Sequence, residues 1–392
     1  MGTRRKLGWV AVLYFAEGLP FGIVLDNLPV YFRVHGVSLG AIGALSLLRT
    51  PWWAKVFWSP LVDQVGARRQ WIRAALVAMA AALLVVAVLP AAPVGVPLVV
   101  ALFAFTTAAA TQDVAIDAYT IELLAPGEEG VANGVRVSAY RAALIFAGGV
   151  LVALAGRAGW PVTFALAAVA LLAIALVAGR APATAHRPQP PREWARSLGA
   201  WVSRPGAIPV FLFVLLYKLD TNALGPMVKP FWVDRGLSLD EIAFISTTLG
   251  VAATVVGALV GGALTSRWGI FRALWVLGLF QAIANLGYAV AAWTDAGRAG
   301  IYAASLGESF GAGLGTAAFL AFLMNVCDKQ QAATQYALLS ALFNLSGSLA
   351  GAISGRGVES LGYGNYFALT FVLAVPAYAL LPWVRSWIRE RR

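Results

Sequence analysis

The sequence predicts an all-α polytopic membrane protein, with twelve spanning helices in two six-helix bundles related by pseudo-two-fold symmetry. Three observations carry that expectation. Hydrophobic residues make up 60% of the 392 positions and charged residues only 12%, whereas a soluble domain carries about 25% charged residues to cover its surface. The apolar runs are helix-length, near the roughly 20 residues that a bilayer core demands, and lack the alternation of a β-barrel. One long Pro/Arg-rich break bisects the chain. The composition excludes a cytosolic enzyme and a disordered chain. With Cys327 the only cysteine, it excludes a disulfide scaffold as well.

The first run, near 8–33, follows Arg4, Arg5 and Lys6. It contains Glu17 and Asp26 and lacks a small-x-small cleavage site, so it reads as a retained helix rather than a signal peptide. Runs near 39–60, 71–90, 96–122, 131–155 and 160–179 complete the first half. The second half has runs near 207–233, 239–265, 272–293, 299–326, 332–354 and 364–384. The expected organisation is an N-terminal bundle over 1–180, a connector over 181–206 and a C-terminal bundle over 207–392. The connector holds His186, Arg187, Pro188, Pro190, Pro191, Arg192, Arg196 and Arg204, and is partly amphipathic around Trp194 and Trp201.

The formal charge of +11 would suggest a nucleic-acid partner in a soluble protein. Here the cations flank apolar runs and fix topology instead. Arg68, Arg69, Arg73, the connector, Arg267, Arg272, Lys329 and the Arg-rich C-terminus fall in loops on one side. Only Arg33, Arg157, Arg235, Arg298 and Arg356 fall on the other. Both termini are therefore expected in the cytoplasm.

The halves repeat. Gly36-Val37-Ser38-Leu39-Gly40-Ala41-Ile42 matches Gly236-Leu237-Ser238-Leu239-Asp240-Glu241-Ile242, an offset of 200 (236 minus 36). Gly66 and Arg69 fall opposite Gly269 and Arg272. Parallel six-helix halves of this kind are the internal symmetry of the major facilitator fold.

A charge at bilayer depth costs several kcal/mol unless it is paired or faces water. The deep acids are Glu17 and Asp26 in span 1, Asp113 and Asp117 in span 4, Asp220 in span 7 and Glu308 in span 10. In the major facilitator arrangement those four spans line the central cavity. The deep cations are Arg49, Lys55, Arg141, Lys218 and Lys229. Asp113 and Asp117 are four apart and share a helix face. Two neighbouring carboxylates can hold a proton between them, as a proton-coupled carrier requires. The competing reading is a static ion pair with Arg49, Lys55 or Arg141, with Asp117 part of an inner gate. Tyr14 precedes Glu17 by one turn, and Gly18, Pro20 and Gly22 read as helix breaks after it. Gly225, Pro226 and Pro230 read as breaks in span 7. On a regular helix Lys218 and Asp220 point about 200° apart, so both cannot face one cavity. Gly307, Gly311 and Gly315, at four-residue spacing, read as close helix packing.

The loop Leu61-Val62-Asp63-Gln64-Val65-Gly66-Ala67-Arg68-Arg69 resembles the superfamily's latch loop between helices 2 and 3. Ser59 stands for its usual Gly, and in the second half Ser266 stands for its Asp. One inner latch is expected, through Asp63, Arg68 and Arg69 in the N-terminal half. Thr111-Gln112-Asp113-Val114-Ala115-Ile116-Asp117-Ala118-Tyr119 resembles the Q-D-x-x-x-D-A-Y signature of the AmpG-type muropeptide permeases, which are related to acetyl-CoA transporters. Glu17-Gly18-Leu19-Pro20, Lys55 to Asp63, Tyr217-Lys218-Leu219, Gly313 to Phe319 and Ala333 to Ser340 are similar to further blocks of that family.

The resemblance implies an importer of the bacterial inner membrane, driven by the proton motive force and carrying anhydromuropeptides. The expected cargo contacts are Arg49, Lys55, Arg141 and Lys218, with Gln112, Tyr119 and Tyr14. Beyond the resemblance, Asp113 and Glu17 are expected to carry the proton, with Asp220 or Glu308 assisting. One departure bears on cargo. After Tyr217-Lys218-Leu219 the family has a small residue and then Asp, whereas here Asp220 follows at once. The alternative cargo is acetyl-CoA or another organic anion. The other classes are a polytopic enzyme, which would show clustered His or Asp at a membrane face, and a transporter-shaped receptor, which differs only in lacking flux. The sequence has no metal-ligand cluster, P-loop or nucleotide fingerprint. No cofactor, metal or nucleic-acid partner is expected, and the chain is expected to act as a monomer in the bilayer.

Overall fold

The computed structural model describes residues 2–124, 128–184, 199, 203–327 and 332–388. The side chains of 60, 63, 64, 129–131, 133, 332–334 and 337 also lie outside the description. The latch carboxylate of Asp63, the connector around Trp194 and Trp201, and Lys329 therefore fall outside the described residues.

The described residues form helices and connecting turns, with no strand among them. In lipid a helix satisfies its own backbone polar groups, which is why apolar runs of this length take that form. The first half holds α1 (Thr3–Gly22), α2 (Leu28–Val34), α3 (Leu39–Ala44), α4 (Thr50–Ala54), α5 (Ser59–Gln64), α6 (Arg68–Val88), α7 (Val96–Leu123), α8 (Glu129–Ile145), α9 (Val152–Ala158) and α10 (Trp160–Ala178). The second half holds α11 (Ala207–Leu216), α12 (Leu219–Asp234), α13 (Leu239–Phe244), α14 (Gly250–Trp268), α15 (Ile270–Trp293), α16 (Gly297–Val326) and α17 (Ala332–Val384). Among the described residues, ten helical stretches are long and apolar enough to cross a membrane. One of them, Leu338–Trp387, turns at Gly362, whose φ of 76° ends a helix, and so makes two spans. Span 2 is broken into the short pieces α3 to α5, joined by 3-10 turns at Leu45–Arg49 and Lys55–Phe57. Counted that way, the spans are the twelve expected.

The chain forms two compact units. Unit 1 comprises Met1–Val37, Ala54–Gln189 and Ser238–Phe244, and unit 2 comprises Ser38–Trp53, Pro190–Leu237 and Ile245–Arg392. Each takes most of one sequence half and one short segment of the other. In unit 1, α1 packs on α8, and α6 packs on α7 and α10. In unit 2, α16 packs between α14 and α15, while α17 packs on α11, α12 and α15.

The repeated heptapeptide forms the same turn twice. Gly36 and Gly236 have φ of 76° and 73°, a left-handed conformation that glycine adopts without a Cβ penalty. The amides of Gly36 and Val37 close on Arg33 and Phe32 at 3.0 Å, and those of Gly236 and Leu237 close on Val233 and Trp232 at 3.0 and 3.1 Å. This is the hydrogen-bond pattern of a helix C-terminal cap. Ser38 Oγ then accepts from the amide of Ala41, and Ser238 Oγ from that of Glu241, each at 3.2 Å. Glu241 completes a capping box by accepting from the Ser238 amide at 2.8 Å. Ala41 has no carboxylate to do the same.

The expected helix breaks lie elsewhere. α12 runs through Pro226 and Pro230, and α1 runs through Gly18 and Pro20 to Gly22. Pro20 is followed by a π turn at Ile23–Asn27, where the Leu28 amide reaches back to Ile23. The wider pitch absorbs the irregularity without ending the helix. Gly18 and Gly22 serve packing instead. A Cβ on Gly18 would lie 2.8 Å from the Tyr140 carbonyl, and one on Gly22 would lie 2.6 Å from the Ala147 methyl, both on the α8 side. The true break in span 7 is at Tyr217–Lys218, between α11 and α12, with Lys218 at φ −109° and ψ 15°.

Unit 2 has its own glycine seam. A Cβ on Gly257 would collide with the Phe310 carbonyl, and one on Gly261 would lie 2.7 Å from that of Leu314. Small residues let helix backbones approach where no hydrophobic driving force separates helix from lipid. Gly257→Val should lower the thermal midpoint of the detergent-solubilised protein, at a cost of about 1–3 kcal/mol for overpacking. Gly262→Val, with nothing within 4 Å of its would-be Cβ, should leave the midpoint unchanged. Equal midpoints for the two variants would contradict the seam.

Candidate functional site

Unit 1 gathers charged groups from four elements. The helical repeat of α7 puts Asp113 and Asp117 one turn apart, α1 contributes Tyr14 and Glu17, the 3-10 turn after α4 contributes Lys55, and α8 contributes Arg136. Lys55 Nζ is ion-paired with Asp113 Oδ2. Glu17 neighbours Asp113, and its Oε2 is buried with no hydrogen-bond partner. Tyr14 Oη donates to Asp117 Oδ1 at 2.7 Å, and Arg136 Nη2 pairs with the same oxygen at 3.2 Å. The Arg136 guanidinium also lies over the Tyr14 ring, 4.5 Å from its centroid, a cation–π contact. Trp58 Nε1 donates to Thr111 Oγ1 at 3.1 Å, tying the 3-10 turn to α7. The two acids expected to share one another's field thus each have a cation, Lys55 for Asp113 and Arg136 for Asp117.

The other expected residues of this unit fall as follows. Gln112 is fully buried, with neither amide atom hydrogen-bonded. Tyr119 Oη donates to the Pro182 carbonyl at 3.0 Å, which commits it to the start of the connector. Arg141 is exposed on α8 and takes no part in the acid cluster, because the side chain that reaches Asp117 comes from Arg136, five residues earlier. Arg68 is buried. Its Nη1 donates to the Val62 carbonyl at 2.6 Å and its Nε pairs with Glu122 Oε1 at 3.2 Å, so it ties the latch loop to the end of α7 inside unit 1. Arg69 is exposed.

Unit 2 treats its charges differently. The break at Tyr217–Lys218 cancels the 200° separation that a regular helix would impose, and Lys218 and Asp220 both turn toward α15. Lys218 Nζ donates to Gln281 Oε1 and, at 3.0 Å, to Thr316 Oγ1 on α16. Gln281 Nε2 donates to Thr221 Oγ1 at 2.7 Å, and Thr221 Oγ1 donates to Asp220 Oδ1 at 3.4 Å. Asn285 Nδ2 donates to Asp220 Oδ2 at 3.1 Å. Lys218 and Asp220 are 4% and 1% exposed, yet they are joined through neutral groups rather than as an ion pair. Glu308, partly buried on α16, accepts from Ser309 Oγ at 3.4 Å. Arg49 is buried in this unit, with Nη2 donating to Asn344 Oδ1 at 3.4 Å.

Arg136, Gln281, Asn285 and Thr316 were not singled out from the sequence. Arg136 lies where an apolar run begins, so it read as a boundary. Gln281 and Asn285 carried a usable signal, two amides one turn apart inside an apolar run, but a search for deep charges passes over amides.

The sequence profile of the Major Facilitator Superfamily matches residues 7–351. The anhydromuropeptide permease of Escherichia coli K12 is 31% identical over 97% of this chain and 80% of its own length. A Rickettsia conorii chain named as transporter AmpG 4 is 28% identical over 97% of each chain. Among solved structures, a D-xylose–proton symporter superposes with a TM-score of 0.73 over 97% of each chain, at 14% identity, a likeness of fold.

Removing one partner of a buried ion pair strands the other charge. Asp113 is buried and Lys55 only partly so, so Lys55→Met should destabilise the protein by about 1–3 kcal/mol, and Lys55→Met combined with Asp113→Asn should recover most of that loss. Thermal unfolding in detergent reads both. Additive losses in the double variant would show that the pair does not couple.

Proposed function

This chain belongs to the Major Facilitator Superfamily and is a secondary transporter, and from that premise we propose that it is a proton-coupled importer of anhydromuropeptides in the bacterial inner membrane. The E. coli relative is an anhydromuropeptide permease, and the same class of cargo suits this chain. The protein works by alternating access as a monomer, with both termini in the cytoplasm.

The charge balance of the unit 1 cluster carries the coupling half of this reading. Three carboxyls, Glu17, Asp113 and Asp117, meet two cations, Lys55 and Arg136. Such a cluster, partly buried at membrane depth, reaches neutrality when one carboxyl holds a proton. Two neighbouring carboxyls, as Glu17 and Asp113 are, can share such a proton. A carrier that loads this proton on the acidic side and releases it on the other couples cargo to the proton gradient. Glu17 and Asp113 are the exchanging pair. Asp117, held by Tyr14 and Arg136, keeps α1, α7 and α8 together.

The cargo half rests on cations. An anhydromuropeptide carries several carboxylates and a free amine. Lys218 and Arg49, both buried and each donating to a side-chain amide oxygen, suit the carboxylates through charge-assisted hydrogen bonds. Gln112, buried with neither amide atom hydrogen-bonded, has both groups to offer a sugar hydroxyl or acetamide. A second cargo class, acetyl-CoA or another organic anion, is favoured by the one-residue shift of Asp220, which alters the cation's surroundings relative to the muropeptide pattern.

Asp113→Asn should abolish uptake driven by an inward-acid pH gradient in proteoliposomes, while leaving the protein folded by size-exclusion profile. Normal accumulation by that variant would remove Asp113 from coupling. In the same vesicles a labelled anhydromuropeptide should accumulate and acetyl-CoA should not. The reverse order would assign the second cargo.

A further inference from the structure

The Lys218–Asp220 pair poses a physical question that the transport reading leaves open. Opposite charges two residues apart, both buried, would ordinarily collapse into an ion pair, because Coulomb attraction grows as the dielectric falls. Here they do not. The side-chain amide of Gln281 stands between them, accepting from Lys218 Nζ and donating to Thr221 Oγ1, which donates to Asp220. Every hydrogen bond in the chain runs in one direction, from ammonium to carboxylate. Asn285, one turn further along α15, holds the far carboxylate oxygen of Asp220.

The backbone is shaped to admit this amide. Gln281 is 2% exposed. A Cβ on Gly315 would collide with Gln281 Oε1, and one on Gly311 would lie 3.2 Å from the Gln281 Cα. Gly315 thus makes room for the Gln281 side chain, and Gly311 for its backbone. Thr316, next to Gly315, supplies the second acceptor for Lys218.

We infer that Gln281 is a positioning residue that keeps Lys218 from pairing with Asp220, and so reserves the ammonium for an anionic group of the cargo. An ammonium has three N–H donors. Two go to the neutral oxygens of Gln281 and Thr316, so no carboxylate contacts the ammonium directly. A cargo carboxylate supplies the third acceptor and a direct charge-assisted contact. The inference rests on the reading of Lys218 as a cargo cation.

The test uses full-length protein in proteoliposomes, with a labelled anhydromuropeptide competed by its unlabelled form and by the same molecule with its carboxylates converted to carboxamides. Gln281→Glu places a carboxylate on Lys218. It should weaken competition by the anionic form about tenfold and leave that by the carboxamide form unchanged, with maximal velocity retained. Gln281→Leu removes the spacer, lets Lys218 reach Asp220 and should shift preference the same way. Adding Lys218→Met to Gln281→Glu should cause no further loss, since the two act through one group. Gly315→Ser, which crowds the same amide, serves if Gln281→Glu does not fold. Unchanged anion preference in the Gln281 variants, with preference lost in Lys218→Met, would overturn the inference alone. Unchanged preference in Lys218→Met itself would overturn the reading beneath it, and the inference with it.

Discussion

A charge inside hydrocarbon must be compensated, and the two units meet that constraint in opposite ways. Unit 1 brings acids and bases into contact, Asp113 with Lys55 and Asp117 with Arg136, and leaves Glu17 as the one acid in excess. Unit 2 keeps Lys218 and Asp220 apart with the amides of Gln281 and Asn285 and the hydroxyl of Thr221. The first arrangement suits a proton, which can neutralise the excess carboxyl. The second suits an anion, which can take the ammonium's remaining N–H. A transporter that moves an anionic solute with a proton needs both.

These placements depend on backbone irregularities that the helices accommodate rather than suffer. The 3-10 turn at Lys55–Phe57 and the turn at Tyr217–Lys218 each present a lysine that a straight helix would aim elsewhere. Glycines do the complementary work. Gly18 and Gly22 let α1 approach α8, bringing Tyr14 and Glu17 to the acids of α7, while Gly311 and Gly315 open α16 to Gln281. Non-ideal backbone is tolerated at membrane depth where protein covers it or where it lines a water-filled cavity, and here it recurs beside the charged groups.

The fold was legible because it follows from bulk properties. Composition and run length gave the spans, and the match of 36–42 with 236–242 proved to be one cap-turn-cap motif built twice. The deep acids were legible too, since a carboxylate in an apolar run has few bland explanations. Their partners were not. Choosing Arg136 over Arg141 requires the phase of α8 relative to α1 and α7, which no local pattern sets. The break at Tyr217–Lys218 has no proline or glycine to announce it, while Pro226 and Pro230, which do announce one, sit in an unbroken helix. The glycines at 311 and 315 read correctly as packing, but what they pack against, an amide holding a lysine, is a tertiary fact.

The central claim is that a proton enters with the solute through the carboxyl pair of unit 1. Its most direct measurement reads cargo and protons together. Proteoliposomes loaded with a pH-sensitive dye, with no initial pH gradient, receive a labelled anhydromuropeptide under an inside-negative membrane potential. The account predicts internal acidification that tracks cargo entry. Cargo accumulating with no change in internal pH would contradict it.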